Sequence, residues 1–232
     1  MRLIITRPSI DAVPLAEVLN ALGHEAIITP LLDIVPRAKV SILDLPYQAI
    51  CTTSANGLRC LNAPIDLQTP VLAVGEQSAA AARMKGFQNI KAEGGDVDGL
   101  VSYITTNLKR SDGPLLYLSG AETSGDLEGH LIKRGYDVRR VITYDAVKCV
   151  LDSHLRAIES CDGVLLYSPR TAKLWCHEIW RLQVTEGAER IRHFCLSAQV
   201  AEAVPQNWHR LVAKVPTEKS LLALLDLANE AE

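Results

Sequence analysis

Short apolar runs alternate with amphipathic stretches along the chain, with Gly, Pro and Ser at the boundaries. Leu3 to Thr6 predicts a buried strand. Pro8 and Ser9 then open a helix whose apolar face is Val13, Ala16, Leu19 and Leu22, and Gly23 stops it. Ala26 to Thr29 is the next strand, closed by Pro30, and Leu32 to Val35 is an extended segment closed by Pro36. Ala49 to Thr52 is a strand that leads through Ser54-Ala55-Asn56-Gly57 into a helix. Val71 to Val74 is another, turned by Gly75 into a helix over Gln77 to Met84, which Gly86 terminates. Ile90 marks a short strand, and Val97 to Leu108 is a helix capped by Asp96 or Asp98.

The same order then returns. Leu115 to Leu118 is a strand, Asp126 to Arg134 a helix and Val138 to Tyr144 a strand, followed by a linker-like segment over Asp145 to Ser153. Gly163 to Tyr167 is a strand leading through Ser168-Pro169 into a helix. His193 to Leu196, Val200 to Val204, Val212 to Val215 and Ser220 to Asn229 complete the β-α-β-α series. Strands at this spacing with helices between them predict an α/β fold of parallel sheets covered on both faces.

The pattern contains an internal repeat. Leu3-Ile-Ile-Thr-Arg-Pro, Gly23 and Ile27-Ile-Thr reappear as Leu115-Leu-Tyr-Leu-Ser-Gly, Gly135 and Val141-Ile-Thr-Tyr. Ala49-Ile-Cys-Thr-Thr-Ser-Ala-Asn reappears as Val164-Leu-Leu-Tyr-Ser-Pro-Arg-Thr. The offset is roughly 113 residues, one domain's length, so two similar domains with a cleft between them are expected.

The 232 residues, 48% of them hydrophobic and 22% charged, suit two globular domains without disulfides or metals. A net charge of -3 gives no broad signature for nucleic acid. The apolar start stops at Arg7 and Pro8, too short for a signal peptide, and no run approaches the ~20 apolar residues of a membrane span. A cytoplasmic protein with no membrane partner is expected. The six cysteines form no C-x-x-C and read as small buried residues, and Cys176-His177 has no third metal ligand at local spacing.

In parallel sheets, ligands meet the carboxyl ends of strands, where the N–H groups of the following helices point outward. Six such ends carry small polar residues: Thr6-Arg7-Pro8, Thr53-Ser54-Ala55-Asn56, Gly75-Glu76-Gln77-Ser78, Ser119-Gly120-Ala121, Ser168-Pro169-Arg170-Thr171 and Pro216-Thr217-Glu218. They suit carboxylates or phosphates, although the same hydroxyls are ordinary helix caps. No P-loop, dinucleotide fingerprint, nucleophile elbow or zincin motif is present. The histidines (24, 130, 154, 177, 193, 209) sit away from strand carboxyl ends and read as surface or packing residues. Tyr144 differs: it ends a strand, and its phenol can donate a proton while neutral at pH 7.

Leu3-Ile-Ile-Thr-Arg-Pro with Leu15-Ala16, Leu22-Gly23 and Pro30-Leu31 resembles the start of the uroporphyrinogen-III synthase family. Thr53-Ser54-Ala55-Asn56-Gly57, Ala73-Val74-Gly75, the Tyr144 strand, Tyr167-Ser168-Pro169 and Pro216-Thr217 continue the resemblance in order over nearly the whole chain. It implies a discontinuous first domain over 1–36 and 150–232 and a second over 37–149. The crossings near Ile34-Val35-Pro36 and Ala146-Val147-Lys148 would form an extended hinge. The implied reaction turns hydroxymethylbilane into uroporphyrinogen III with loss of water and inversion of the last pyrrole ring, in a monomer without cofactor or metal. The resemblance makes Tyr144 the group that assists departure of the hydroxyl. Thr53, Ser54, Ser78, Ser168 and Thr217 match cleft-lining positions, and Arg7 either joins them or pairs with a carboxylate. Leu196-Ser197-Ala198-Gln199-Val200 departs from the family pattern, with Ser197 in place of a glycine and Val200 in place of a threonine. A two-domain binding protein and an inactive regulatory relative are the competing expectations.

Overall fold

A computed structural model describes residues 1–93, 95–149, 158 and 160–229. The chain forms two compact units, Met1–Asp33 with Val147–Glu232, and Ile34–Ala146.

In the first unit, β1 (Arg2–Ile5), α1 (Ser9–Ala21) and β2 (Glu25–Ile28) come from the early segment. The late segment supplies β9 (Gly163–Leu166), α6 (Pro169–Leu182), α7 (Thr185–Arg190), β10 (Arg192–Cys195), α8 (Ala198–Glu202), β11 (Arg210–Val212) and α9 (Glu218–Asn229). The strands lie in the order β11-β10-β9-β1-β2, all parallel. Strand side chains alternate between faces, so Leu3 and Ile5 join Leu15, Leu19, Leu221 and Leu225 on one side. Ile4, Val164 and Leu166 join Trp175, Ile179 and Trp208 on the other. Each fully buried side chain of this size contributes roughly 1.5–3 kcal/mol.

The second unit contains β4 (Ala49–Thr52), α2 (Ala55–Arg59), β5 (Val71–Ala73), α3 (Glu76–Met84), β6 (Ile90–Ala92), α4 (Val97–Asn107), β7 (Leu115–Gly120), α5 (Leu127–Ile132) and β8 (Val138–Lys148), whose last two residues fall in the first unit. Its sheet runs β8-β7-β4-β5-β6 in parallel, with β3 (Leu32–Pro36) added beside β8. The repeat is therefore visible in the topology. β1, β2 and β9 hold the sheet positions that β7, β8 and β4 hold in the second unit, and β10 and β11 match β5 and β6. Leu3 pairs with Gly163 much as Leu115 pairs with Ala49.

Several expectations need correction. Strand β8 does not end at Tyr144 but runs on to Lys148, where a linker was expected; Val150 to Ser153 of that stretch lie outside the described residues, as does His154. The Arg37 N–H bonds the Thr143 carbonyl (2.9 Å) and the Cys149 N–H the Leu31 carbonyl (3.1 Å), so β3 and β8 run antiparallel. Arg37 also clasps Asp145 with two bonds of 2.9 and 3.0 Å. A partner strand thus keeps polar residues extended. In α1 the buried face is Ala12, Leu15, Ala16 and Leu19, whereas Val13 and Leu22 are exposed. The face is rotated because the helix must cover Leu3 and Ile5. Helix α7, which the sequence pattern does not suggest, buries only Gly187 and Ala188.

Candidate active site at the carboxyl edges of the sheets

Because the strands within each of the sheets β11-β10-β9-β1-β2 and β8-β7-β4-β5-β6 are parallel, the helices that follow them begin along one edge of that sheet. In the first unit, Ser168 caps α6, its hydroxyl accepting the Thr171 N–H at 3.1 Å and sharing a further bond with the Thr171 hydroxyl. Ser197 caps α8 by accepting the Val200 N–H (3.4 Å), and Thr217 accepts the Ser220 N–H (3.3 Å) at the start of α9. Ser197 and buried Val200 thus form an ordinary cap and a core contact. Ser197 and Thr217 have each accepted one N–H and retain a proton to donate, whereas Ser168 already shares a bond with the Thr171 hydroxyl.

Arg7 lies beside the same edge. It bonds Glu218 at 2.7 Å, stands 3.7 Å from Asp11, and stacks 4.3 Å above the Tyr167 ring. Two carboxylates already oppose its charge. Burial, reinforced by Glu218, pushes the Tyr167 phenol well above its usual range, so it stays protonated.

In the second unit, Ser54 caps α2 by accepting the Asn56 N–H at 3.3 Å, and the Thr52 hydroxyl donates to the Ser54 carbonyl at 2.8 Å. Gly57, in α2, packs directly on β7; a Cβ there would lie 2.7 Å from the Leu118 carbonyl oxygen. No larger residue fits that approach. Gly75 precedes α3, and Ser78 is buried in its first turn. Asp96 and Asp126 cap α4 and α5, each accepting a glycine N–H at 2.8 Å. The helices divide accordingly. The N-termini of α4 and α5 already carry carboxylates, whereas α2, α6 and α8 begin with serine and have no acid in the first turn. Those three present uncancelled partial positive charge to an anion.

Ser119-Gly120-Ala121 is not a simple turn. Strand β7 runs through Gly120, and Ser119 is buried. The β7–β8 ladder pairs Tyr117 with Arg140, Leu118 with Val141 and Ser119 with Ile142, then skips Thr143 and pairs Gly120 with Tyr144. An uninterrupted strand would put Tyr144 on the face of Arg140 and Ile142; the extra residue moves it to the face of Leu118 and Val141. The Thr143 hydroxyl secures the bulge by donating to the Gly57 carbonyl at 2.9 Å. Tyr144 is only 7% exposed, and its ring lies over Gly120, where a Cβ would come within 2.7 Å of it.

Two neighbours complete this corner. The Tyr117 hydroxyl lies 3.1 Å from the Thr53 hydroxyl, and burial raises its pKa. Arg140 stands 5.8 Å from the Tyr117 ring and bonds Ser119, Gly120 and Ala121. Sequence reasoning missed both, though a phenol and a guanidinium inside apolar strand runs are a usable signal. The structure brings Thr53 and Ser54 together at the carboxyl end of β4, and Arg7 and Thr217 to either side of Glu218 in sequence and contact. Ser78 is only 6% exposed. The thiols are inert: burial pushes Cys51 and Cys195 up to about 12 and Cys176 up to about 11.

Two α/β units with the same order of five parallel strands, each with helices starting along the carboxyl edge of its sheet, define a class of internally repeated α/β proteins. The family model described as "HEM4: Uroporphyrinogen-III synthase HemD" matches residues 13–223, and the chain belongs to the uroporphyrinogen-III synthase family. Among solved structures it is similar to the uroporphyrinogen-III synthetase of Helicobacter pylori (18% identity, 98% of this chain and 100% of that one, TM-score 0.63). It is also similar to a mutant uroporphyrinogen III synthase of Thermus thermophilus (15% identity, all of both chains, TM-score 0.61). At these identities the likeness concerns the fold. No curated protein matches. The family reaction is a hydro-lyase step of porphyrin and haem biosynthesis, in which hydroxymethylbilane loses water and closes to uroporphyrinogen III with its last ring inverted. The family match favours this enzyme over the binding-protein and inactive-relative expectations. Among the described residues no helix is long and apolar enough to cross a membrane.

Proposed function

We propose that this chain carries out that cyclisation with Tyr144 as the proton donor and the serine-led turns as holders of the substrate's carboxylates. The observation that carries the proposal is the bulge at Thr143, which sets the Tyr144 phenol beside Gly120 at the carboxyl end of β7. Tyr144 gives its proton to the departing hydroxyl, so water leaves and an electrophilic azafulvenium cation remains. Ring closure at the substituted carbon of the last pyrrole gives a spiro intermediate that fragments and recloses inverted. The phenolate recovers a proton when the new ring junction rearomatises.

Hydroxymethylbilane carries four acetates and four propionates. The N-termini of α2 and α6, with Ser54 and Ser168, suit such groups without bulk positive charge, and Thr53 and Thr217 add hydroxyl donors. Ser78 supports α3, and Arg7, opposed by two carboxylates, holds Tyr167 and α9 in place. The working domains are taken as 1–36 with 150–232, and 37–149. The enzyme acts as a cytoplasmic monomer without a nucleic-acid partner, in keeping with its net charge of -3.

The deciding experiment supplies fresh hydroxymethylbilane and resolves the oxidised products as isomers I and III. Isomer III above the spontaneous background is expected; isomer I alone, at the uncatalysed rate, overturns the proposal.

A further inference from the structure

The bulge in β8 interrupts a ladder, and an interrupted ladder leaves backbone carbonyls without strand partners. At this one, the partner is a side chain. Arg140 Nη2 donates to the Gly120 carbonyl at 2.9 Å and to the Ala121 carbonyl at 3.0 Å. Its Nε donates to the Ser119 hydroxyl at 2.8 Å, and that hydroxyl donates onward to the Gly120 carbonyl at 3.0 Å. One planar guanidinium therefore ties the last two residues of β7 and the one after them where the register shifts, a geometry that the point charge of a lysine does not reproduce. These residues adjoin Tyr144 directly: Gly120 lies under its ring, and the Ala121 N–H bonds its carbonyl at 3.0 Å.

We propose that Arg140 is a positioning residue for Tyr144, holding the Ser119–Ala121 backbone in the bulged register that aims the phenol. It rests on the reading of Tyr144 as the proton donor for its effect on rate, but the placement of the ring can be measured separately. Arg140 is only a quarter exposed, and its remaining ionic neighbour, Glu128, stands 3.6 Å away. Nε and Nη2 are thus committed to Ser119 and backbone, the arrangement of a group that acts through Tyr144.

The test combines a double-mutant cycle with a direct view of the ring. Arg140→Ala is expected to lower kcat for isomer III about tenfold, less than the ~100-fold that a 1 Å misplacement of a catalytic geometry costs. KM should stay within about twofold, as expected when a transition-state interaction alone is weakened. In a Tyr144→Phe background the same substitution should cost nothing further. Arg140→Lys, which keeps the stem and charge, should behave like Arg140→Ala, and it replaces that variant if the alanine protein folds poorly. With 3-fluorotyrosine incorporated, the fluorine resonance that disappears in Tyr144→Phe should shift or broaden when Arg140 is replaced, by more than the signal of Tyr103 on helix α4.

An equal loss of kcat in both backgrounds overturns the proposal, as does an unchanged Tyr144 resonance. A Tyr144→Phe enzyme as fast as the parent removes Tyr144 from the chemistry, and the fluorine signal alone then decides whether Arg140 holds the ring.

Discussion

Trp175 donates its indole N–H to Nε2 of His193 across 3.1 Å inside the first unit, joining α6 to β10. The imidazole is completely buried and lies beside the Trp208 ring, with centroids 4.9 Å apart. Burial is the main cause that lowers its pKa from 6.5 to about 4. An unfolded chain takes up the proton near 6.5 and the folded one only near 4. Stability is therefore full above pH 6.5, falls as pH drops from 6.5 to 4, and levels off below, a loss on the order of 3 kcal/mol. Denaturant midpoints measured between pH 7 and pH 3.5 should show this slope. His193→Gln should start lower at pH 7, because the indole loses its partner, and be flatter through the window. A parallel slope would remove His193 as the cause.

Glu178, its side chain 1% exposed, accepts from Lys148 at 2.6 Å and from Arg181 at 2.6 and 2.8 Å. Burial alone would raise its pKa, but Arg181, Lys148 and His177 outweigh it and bring the carboxyl down to about 2. Its stabilisation is present above pH 4.5 and is lost as pH falls towards 2, below the histidine window. Glu178→Ala strands two cations that water can partly reach, and we expect a cost of about 1–3 kcal/mol by chemical denaturation. A cost below 0.5 kcal/mol would show that the three bonds contribute nothing net.

Gly120→Ala should disable the enzyme more than it unfolds it. The added methyl meets the Tyr144 ring at 2.7 to 3.0 Å, so the phenol must move. Overpacking of this kind costs about 1–3 kcal/mol, within the reserve of a folded domain. Thermal denaturation and the isomer III rate should be measured on the same preparation. Full activity would mean that the ring's position is irrelevant to the reaction.

Ser168→Ala separates capping from ligand binding. Losing the cap on α6 should cost about 1 kcal/mol of stability. If the same hydroxyl also donates to a substrate carboxylate, KM for hydroxymethylbilane should rise several-fold. Asp126→Asn keeps a cap on α5 and changes only a helix that already carries its own acid, so its KM should not change. Equal KM values for both variants would confine Ser168 to a structural role.

How much of this was legible in the sequence follows from the range of each interaction. The alternation of strands and helices and the repeat were readable because apolar runs, Gly23 and the serine caps are local signals. The equivalence of β1 and β7 is the clearest result of that kind. The rotated face of α1 was not readable, since it depends on where Leu3 and Ile5 lie in the finished sheet. The continuation of β8 past Tyr144 required β3 as a partner more than a hundred residues earlier. The skip at Thr143 left no local trace, because a bulge is a property of two strands together. Arg140 and Tyr117 were visible as polar groups inside apolar runs, but their meeting at the bulge was not, whereas Thr53, Ser54 and Ser168 stand out as small polar residues after apolar runs.

The insertion of the second unit into the first also sets a timetable for the newborn chain. Strand β1 ends at Ile5, but its neighbour β9 begins only at Gly163. At ~5–20 residues per second of synthesis, the first hairpin-like βαβ fragment waits on the order of ten seconds with one edge open. The inserted unit, whose strands all arrive during that interval, can finish first. Ile4, Ile27 and Leu31, whose face waits for Trp175 and Ile179, are therefore the surface that a chaperone at the ribosome exit would meet.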